Sequence, residues 1–339
     1  MSIVKEDVEN IGNAIKKDGL SFEDQNVLVT GGAGFLGSWI CEVLIRQNAT
    51  VTCLDNLVSG LKTNLADLMG EENFTFIEHD ISKPIILDGS FDFVMHLASR
   101  ASPFEFEKHP IQILKANTLG IWIALGIAKK YDATFFYTST SEIYGNPDPR
   151  FIPTPETYNG NVNPIGPRSC YDEAKRAGEA FVKAYELQHD MDTRMVRIFN
   201  TYGPRMRADD IYGRVVPRFV DQALKGEEIT VFGDGSQTRS FTYITDQVEG
   251  ILRLALSPDA KGEVVNIGSN KETSVLDLAE MIKKITGSTS KIGFYPLPED
   301  DPERRCPDIG KASRILNWMP KVELEDGLKR FTDYNRGTE

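Results

Sequence analysis

A tyrosine and a lysine four residues apart, Tyr171 and Lys175, combine residue types and a spacing suited to proton transfer. They lie in a segment predicted to be helical, from Cys170 to about Gln188, so both side chains share one helix face. Tyrosine is a poor base at its reference pKa of about 10, but a neighbouring ammonium group, together with the positive nicotinamide ring of a cofactor, favours the phenolate and would lower that value. A surface pair would show the same spacing. Beside a bound dinucleotide, the pair would accept the proton in an alcohol oxidation, with the Thr140 hydroxyl as a second partner for the same oxygen.

Four glycines near the N-terminus indicate where a dinucleotide would bind. An apolar strand over residues 26–29 runs into them, and a helix over residues 38–45 follows. Gly32, Gly34 and Gly37 fit G-x-G-x-x-G, and Gly31 extends the fit to G-x-x-G-x-x-G. Such a turn brings bare backbone against a pyrophosphate, while the helix N-terminus offers unpaired N–H groups and a partial positive charge.

Asp55 supports the nucleotide-binding interpretation over a simple tight turn. It ends the next apolar run, residues 49–54, and lies 18 residues after Gly37. A carboxylate at this spacing reaches the ribose diol of the adenosine half. Its charge would repel the 2′-phosphate of NADP, so the sequence predicts NAD as the cofactor.

Alternating strands and helices predict how these residues are positioned. The pattern is typical of an α/β fold with a doubly wound parallel sheet (Rossmann), in which ligands lie beyond the carboxyl ends of the strands. Further predicted strands cover residues 74–78, 91–98, 133–138 and 195–199, and long helices cover 110–130 and 170–188. The candidate residues at strand ends are the glycine loop, Asp55, Asp80, Ala98, Ser99, Thr140, Ser141 and Glu142.

A chain of 339 residues exceeds the usual size of a single core, so we expect two lobes. Residues 1–25 form an N-terminal helical extension, expected to pack on the surface rather than to act in targeting. Residues 26–199 plus about 240–268 form the NAD-binding Rossmann domain. Residues 200–239 plus 269–339 form a smaller C-terminal substrate-binding lobe, which opens with five arginines in forty residues.

Composition excludes several classes of protein. A net charge of −12 argues against a nucleic-acid-binding surface. The four cysteines are widely spaced and include no C-x-x-C pair, which favours a reduced, cytoplasmic protein over a disulfide scaffold or a metal site. No uninterrupted apolar run approaches the ~20 residues that span a bilayer, and no signal-peptide core is evident, so no membrane association is expected.

The glycine motif, the strand-end Ser/Thr and Y-x-x-x-K together resemble the extended short-chain dehydrogenase/reductase family. The resemblance runs from about residue 26 to about residue 331. Several sequence segments are more specific than these motifs and resemble the UDP-glucuronate decarboxylases within that family. They are residues 140–145, 162–173, 197–206, 235–241 and 301–305.

This resemblance implies a tightly held NAD that is regenerated in each cycle. Oxidation at C4 of UDP-glucuronate would give a β-keto acid that loses carbon dioxide, and reduction would then yield UDP-xylose. The implied catalytic residues are Thr140, Ser141, Glu142, Tyr171 and Lys175. The implied substrate-binding residues are Lys115, Asn200, Arg239 and Arg304. The implied cofactor-binding residues are Gly31, Gly34, Phe35, Leu36, Gly37, Asp55, Asn56, Asp80, Ile81, Leu97, Ala98, Ser99, Tyr171 and Lys175.

The two long helices resemble those that pair across the family's dimer as a four-helix bundle. We predict a homodimer, because the stripe formed by Ile111, Leu114 and Ile121 would need a cover beyond the sheet. The chain departs from the family pattern in three places. Arg100 replaces the usual proline, residues 207–213 form a longer loop, and the N-terminal helix stands where some relatives have a membrane anchor.

Three alternatives stay open at this point. The same scaffold supports 4,6-dehydration of a nucleotide hexose and 4-epimerisation of UDP-glucuronate. Dehydratases of the family share Glu142 but usually place Asp where this chain has Ser141, and the epimerases generally lack the glutamate. A catalytically idle NAD-binding regulator is the third alternative, although it would have no need of Thr140, Tyr171 and Lys175.

Overall fold

The computed structural model describes residues 2–208, 214–297 and 300–337. The departure predicted over residues 207–213 falls mainly on 209–213 and so lies outside the described residues. The helices are α1 (Ile3–Lys17), α2 (Phe35–Arg46), α3 (Pro103–Lys108), α4 (Pro110–Tyr131), α5 (Ser169–His189), α6 (Val215–Lys225), α7 (Ile244–Leu256), α8 (Val275–Thr286), α9 (Gly310–Leu316) and α10 (Leu324–Arg336).

The strands are numbered in chain order. They are β1 (Asn26–Thr30), β2 (Thr50–Asp55), β3 (Phe74–Glu78), β4 (Phe93–His96), β5 (Thr134–Thr140), β6 (Thr193–Ile198), β7 (Thr201–Tyr202), β8 (Ile229–Phe232), β9 (Thr238–Ser240), β10 (Thr242–Tyr243), β11 (Val264–Ile267), β12 (Glu272–Ser274), β13 (Ile292–Tyr295) and β14 (Arg304–Arg305).

Seven of these strands form one parallel sheet in the order β11-β6-β5-β4-β1-β2-β3. The order runs outward in both directions from β1, so the carboxyl ends of β1 and β4 meet where the direction of winding reverses. Ligands of open α/β sheets bind at such a point. The predicted doubly wound α/β fold is confirmed.

Both faces of the sheet are covered, which explains why its strands read as continuous apolar runs. On β1, Val27 and Val29 belong to one core, which they share with α1, α2 and α7. Leu28, between them, belongs to a second core formed with α4 and α5. The strands of two smaller sheets outside this layer, β12-β9-β14 and β13-β8, all lie after residue 228.

Two of the differences between predicted and observed strand bounds matter to the site. β4 ends at His96, because Leu97 and Ala98 leave the sheet to approach the backbone of Gly31. β5 continues to Thr140, because Thr140 pairs in register with Ile198 of β6.

The N-terminal helix α1 is part of the core. Its predicted apolar stripe is buried against α2 and α7. On the same side, Asp7 accepts a hydrogen bond from the Tyr243 hydroxyl at 2.9 Å and pairs with Arg330 of α10 at 2.7 Å. The helix thereby joins the start of the chain to its last helix.

Helix α4 requires two corrections to the sequence interpretation. Ile121 is fully buried against the sheet, so it does not continue the exposed stripe of Ile111 and Leu114. The outer face of α4 instead adds Leu119 and Trp122, which are 46% and 54% exposed. The helix is also long and apolar enough to cross a membrane by length and composition alone, which a count of consecutive apolar residues missed. Its buried residues pack on the sheet as those of a core helix do.

Candidate active site

One cleft of about 700 Å³ opens along the carboxyl ends of the sheet strands. Every residue predicted to bind cofactor or substrate, or to act in catalysis, lines this cleft except Arg304. The lining includes Gly31, Gly34, Phe35, Leu36, Gly37, Asp55, Asn56, Asp80, Ile81, Leu97, Ala98, Ser99, Lys115, Thr140, Ser141, Glu142, Tyr171, Lys175, Asn200 and Arg239.

The glycine loop forms a cradle that side chains would fill. Gly31 has a φ of +75°, and a Cβ there would lie 2.7 Å from the backbone of Ala98. A Cβ on Gly37 would lie 2.7 Å from the Cα of Gly32. Helix α2 then begins at Phe35. Its N-cap residue, Gly34, supplies no side-chain cap, so the first N–H groups of the helix are available to a ligand in the cleft. This geometry fits a pyrophosphate group.

Asp55 ends β2 beside this cradle. Its carboxylate accepts the N–H of Ala33 at 3.0 Å and that of Leu57 at 2.8 Å. Burial raises the pKa of Asp55 despite these bonds. The two amides hold the carboxylate rigidly at the cleft wall, and each oxygen retains a lone pair for a ribose hydroxyl. The residues present therefore fit a dinucleotide.

Tyr171 and Thr140 both line the cleft, and the nearby Thr140 hydroxyl favours the Tyr171 phenolate by lowering its pKa. In the protein alone, burial and the nearby Glu142 carboxylate raise the pKa of Tyr171. The Lys175 ammonium is 5.9 Å from the Tyr171 ring centroid and donates to the Thr138 carbonyl at 2.7 Å. Burial lowers the pKa of Lys175 to about 7. The phenolate therefore depends on positive charge brought in by a ligand.

Glu142 lies two residues after Thr140, and two guanidinium groups bind its carboxylate. Arg168 and Arg305 both form ion pairs with its carboxylate, which is largely buried. Burial acts to raise the pKa of Glu142, but the two arginines outweigh it and lower the value to about 2. Glu142 is therefore a carboxylate throughout the physiological range.

Arg239 provides a further guanidinium group in the cleft. It is nine-tenths or more buried and pairs with Asp301 at 2.8 Å. Burial lowers its pKa, although Asp301 opposes the shift. The ion pair with Asp301 holds the Arg239 guanidinium at the cleft wall, where it can bind anionic groups of a ligand.

Arg304 is a correction to the predicted site. Its side chain is 44% exposed and pairs with Glu272 outside the cleft, whereas its neighbour Arg305 points inward. The two arginines are consecutive residues of β14, and consecutive strand residues face opposite sides. Without a register for so short a strand, the sequence offered no means of choosing between them.

Arg168 and Arg305 were both missed by the sequence interpretation as site residues, although each lies inside a block that carried the family resemblance. Only the fold brings them together, because 137 positions separate them in the chain. Arg100, the departure from the family pattern, lines the cleft near Phe35 and forms an ion pair with Glu105. Its positive charge is therefore balanced within the described protein.

The three comparisons with known proteins agree with this geometry. Residues 27–268 match the model of the NAD dependent epimerase/dehydratase family. The UDP-glucuronic acid decarboxylase 1 of Xenopus tropicalis is 45% identical over 94% of this chain and 74% of its own length.

Two solved structures share the fold. The UDP-glucose 4-epimerase of Thermotoga maritima superposes with a TM-score of 0.83 at 32% identity, over 92% of this chain and 99% of its own. The UDP-glucuronic acid 4-epimerase of Bacillus cereus, solved with UDP-glucuronic acid and NAD, has a TM-score of 0.81 at 29% identity, over 93% of this chain and 100% of its own.

The fold, the glycine cradle and the Thr140, Tyr171 and Lys175 constellation define an extended short-chain dehydrogenase/reductase. The chain belongs to the NAD dependent epimerase/dehydratase family, and NAD is its cofactor.

Proposed function

We propose that the protein decarboxylates UDP-glucuronate to UDP-xylose. The observation that carries the proposal is the convergence of Arg168 and Arg305 on one point of the cleft, which the Tyr171 and Thr140 hydroxyl groups also line. Paired guanidinium groups are the preferred partners of a carboxylate. The site therefore combines alcohol oxidation with recognition of an acidic sugar. The 45% identity to a UDP-glucuronic acid decarboxylase favours the same conclusion over the more distant epimerases.

The first step is oxidation at C4 of the sugar. When bound, NAD supplies a hydride acceptor for C4 and a positive ring that favours the Tyr171 phenolate. Tyr171 takes the proton of the 4-hydroxyl group, and Thr140 donates a hydrogen bond to the same oxygen. Lys175 donates a hydrogen bond to the Thr138 carbonyl and lies on the same helix face as Tyr171.

Carbon dioxide loss follows from the 4-keto group. The C5 carboxylate is then β to a carbonyl, so the electron pair of the breaking bond moves onto the C4 oxygen. The hydroxyl groups of Tyr171 and Thr140 stabilise that oxyanion. Arg168 and Arg305 orient the departing carboxylate, while the ionised Glu142 beside them favours conversion of the charged group to a neutral molecule.

Protonation at C5 and return of hydride to C4 complete the cycle. Tyr171 gives its proton back to the C4 oxygen, so the protein ends in its starting state. The sum is one carboxylate and one proton converted to carbon dioxide and a pentose, with no net oxidation.

The test is to incubate the protein with UDP-glucuronate and catalytic NAD, and to measure carbon dioxide release and the sugar product. We expect stoichiometric carbon dioxide and UDP-xylose, and neither from the Tyr171→Phe variant. UDP-galacturonate without carbon dioxide would identify an epimerase. A 4-keto-6-deoxy product formed from a neutral UDP-hexose, with none from UDP-glucuronate, would identify a dehydratase, and bound NAD without any product would identify a regulator.

We further propose a homodimer formed through the outer faces of α4 and α5. On α4, Ile111, Leu114, Leu119 and Trp122 leave one apolar stripe exposed. Leu187 of α5 is 83% exposed on the same layer. A second copy would cover both helices and remove this patch from water. Light scattering should give twice 37.9 kDa at micromolar concentration, and the single mass for Trp122→Glu. A wild-type mass near 37.9 kDa would contradict the dimer.

A cytoplasmic location without membrane association is also proposed. All four cysteines are free and buried, as suits a reducing compartment. The apolar inner face of α4 is occupied by the sheet, which leaves the helix engaged in the fold. Within the described residues, no cluster of three or more metal-ligating side chains occurs. Cell fractionation would test the location: recovery in the membrane pellet after a high-salt wash would contradict it.

A further inference from the structure

Asp172 is a buried carboxyl group that the reaction scheme leaves without a role. It follows Tyr171 on α5 and is only 5% exposed. Its Oδ1 has no hydrogen-bond partner among the described residues, and its Oδ2 lies 3.8 Å from Nε of Arg168. Burial and the nearby Glu142 carboxylate raise the pKa of Asp172 to about 7. An unpaired carboxyl beside an arginine of the active site calls for an explanation.

The charges around Asp172 come from three elements. Glu142 lies in the helical turn after β5, Arg168 and Glu173 belong to the α5 region, and Arg305 lies on β14. Glu173 is 39% exposed and pairs with Arg176, so solvent screens it. The buried set of Glu142, Asp172, Arg168 and Arg305 is electrically neutral when all four groups are ionised.

A bound sugar carboxylate would break this neutrality. Arg239, a further buried guanidinium group of the cleft, is already paired with Asp301. Three carboxylates would then share two guanidinium groups in a largely buried cluster, and an uncompensated buried charge is strongly unfavourable. Protonation of one carboxylate restores the balance. Glu142 is held ionised by both arginines, whereas Asp172 has a single, longer contact with Arg168.

We propose that Asp172 is a positioning residue that takes up one proton when the substrate carboxylate binds, which frees Arg168 to engage that carboxylate. The proposal rests on the function proposed above. The proton comes from solvent and adds to the Asp172 carboxylate, and no other bond is made or broken. When carbon dioxide departs as a neutral molecule, the set regains its balance with Asp172 ionised. Asp172 then releases one proton, and one proton adds to C5 of the sugar.

The test is proton uptake on binding, measured by calorimetry in buffers with different heats of ionisation. The parent is Tyr171→Phe loaded with NAD, because it binds without turning over. For UDP-glucuronate we expect an uptake that grows from a small fraction at pH 6 to nearly one proton at pH 8, since Asp172 must first be ionised to accept one. UDP-glucose lacks the carboxylate and should show no such uptake. It therefore serves as a control for proton exchange at Lys175, which also titrates near pH 7.

Two neighbouring substitutions separate Asp172 from its surroundings. In the Tyr171→Phe background, Asp172→Asn should abolish the uptake while binding persists, and Glu173→Gln should leave it unchanged. With Tyr171 intact, KM for UDP-glucuronate should rise by up to about tenfold per pH unit above pH 7, and Asp172→Asn should flatten this rise. A structural role would change kcat or stability without altering either pH dependence.

The outcomes also distinguish the two proposals. UDP-glucuronate binding without proton uptake, or uptake that survives Asp172→Asn in a variant with a normal thermal melt, overturns the role of Asp172 alone. If a thermal melt shows that Asp172→Asn is unfolded, the Tyr171→Phe parent decides the question. Its proton uptake must then still grow with pH and must require the carboxylate of UDP-glucuronate. Failure of the wild-type protein to bind UDP-glucuronate or release carbon dioxide overturns both proposals.

Discussion

Glu142 and Arg305, 163 positions apart, form a two-pronged ion pair across the active-site cleft, with the second Nη–Oε distance at 2.5 Å. One residue follows the fifth strand of the nucleotide-binding sheet, and the other lies on a two-residue strand near the C-terminus. The pair joins the two parts of the chain at the point where the sugar carboxylate is expected. Its partners therefore provide the sharpest tests of the proposed chemistry.

Glu142→Gln should separate oxidation from carbon dioxide loss. The change keeps the side-chain shape and leaves Thr140, Tyr171 and Lys175 intact, but it removes a charge that Arg168 and Arg305 hold ionised. We expect NAD and UDP-glucuronate to bind still, with turnover lowered about 10²-fold or more, the scale for a positioned acid or base. Steady-state carbon dioxide release and a thermal melt on one preparation would check this. Near-normal turnover with a lowered melting temperature would assign Glu142 a structural role.

Arg305 and Arg304 form a matched pair for testing the correction to the site. Arg305→Gln removes one guanidinium group from the cleft and leaves Glu142 with Arg168 alone, so we expect a loss of about 10²-fold or more in kcat/KM. Arg304→Gln breaks only a half-exposed ion pair with Glu272, which contributes at most about 1 kcal/mol to stability. Its kcat/KM should stay near that of the wild-type protein. Equal losses in both variants would place the sugar carboxylate elsewhere.

NAD should bind far more tightly than NADP. Asp55 is fixed at the cleft wall by two backbone amides, so it cannot turn away from a 2′-phosphate. Loss of the ribose hydrogen bonds together with repulsion of a dianion amounts to several kcal/mol, where about 1.4 kcal/mol is a factor of ten. Titration of the cofactor-free protein should give at least about a 10²-fold preference, which Asp55→Asn should reduce. Equal affinities for the two cofactors would show that Asp55 does not face the ribose.

Asp172→Asn should change the pH dependence of stability. The pKa of Asp172 is about 7 in the folded protein and about 3.9 in an unfolded chain, so the folded state holds the proton more tightly. Its stabilising contribution is complete below about pH 4 and is lost as the pH rises through about 7. Asparagine is neutral at every pH. The melting temperature of the variant, relative to wild type, should therefore rise by a few degrees between pH 5 and pH 8, while Glu173→Gln shows no such trend. A difference independent of pH would contradict the raised pKa.

Much of the cofactor site was predictable because it depends on local signals. A glycine turn between a strand and a helix, and a carboxylate at the end of the next strand, are read within thirty residues, and the fold follows from the alternation of elements. Ala98 and Ser99 were also predictable, since strand ends of a parallel sheet meet at one edge.

The sugar carboxylate site was harder to predict from the sequence, because its residues meet only through tertiary packing. Arg168 precedes a helix, and Arg305 lies on a strand too short to show alternation, so neither position revealed which way its side chain points. The pKa of Tyr171 in the protein alone also depends on tertiary packing. The sequence shows the lysine four residues away, but it does not show that burial and Glu142 dominate.

The strand order of the central sheet has a consequence for how the protein is made. From the N-terminus onward, β2 docks beside β1, β3 beside β2, and β4 on the other side of β1. After that, β5 docks beside β4, β6 beside β5, and β11 beside β6. No strand has to wait for a later one to provide its neighbour. The sheet can therefore grow in step with vectorial synthesis on the ribosome, at a pace set by translation. The glycine cradle and Asp55 are complete within the first sixth of the chain, whereas the Glu142 carboxylate gains Arg305 only after nine-tenths has been made.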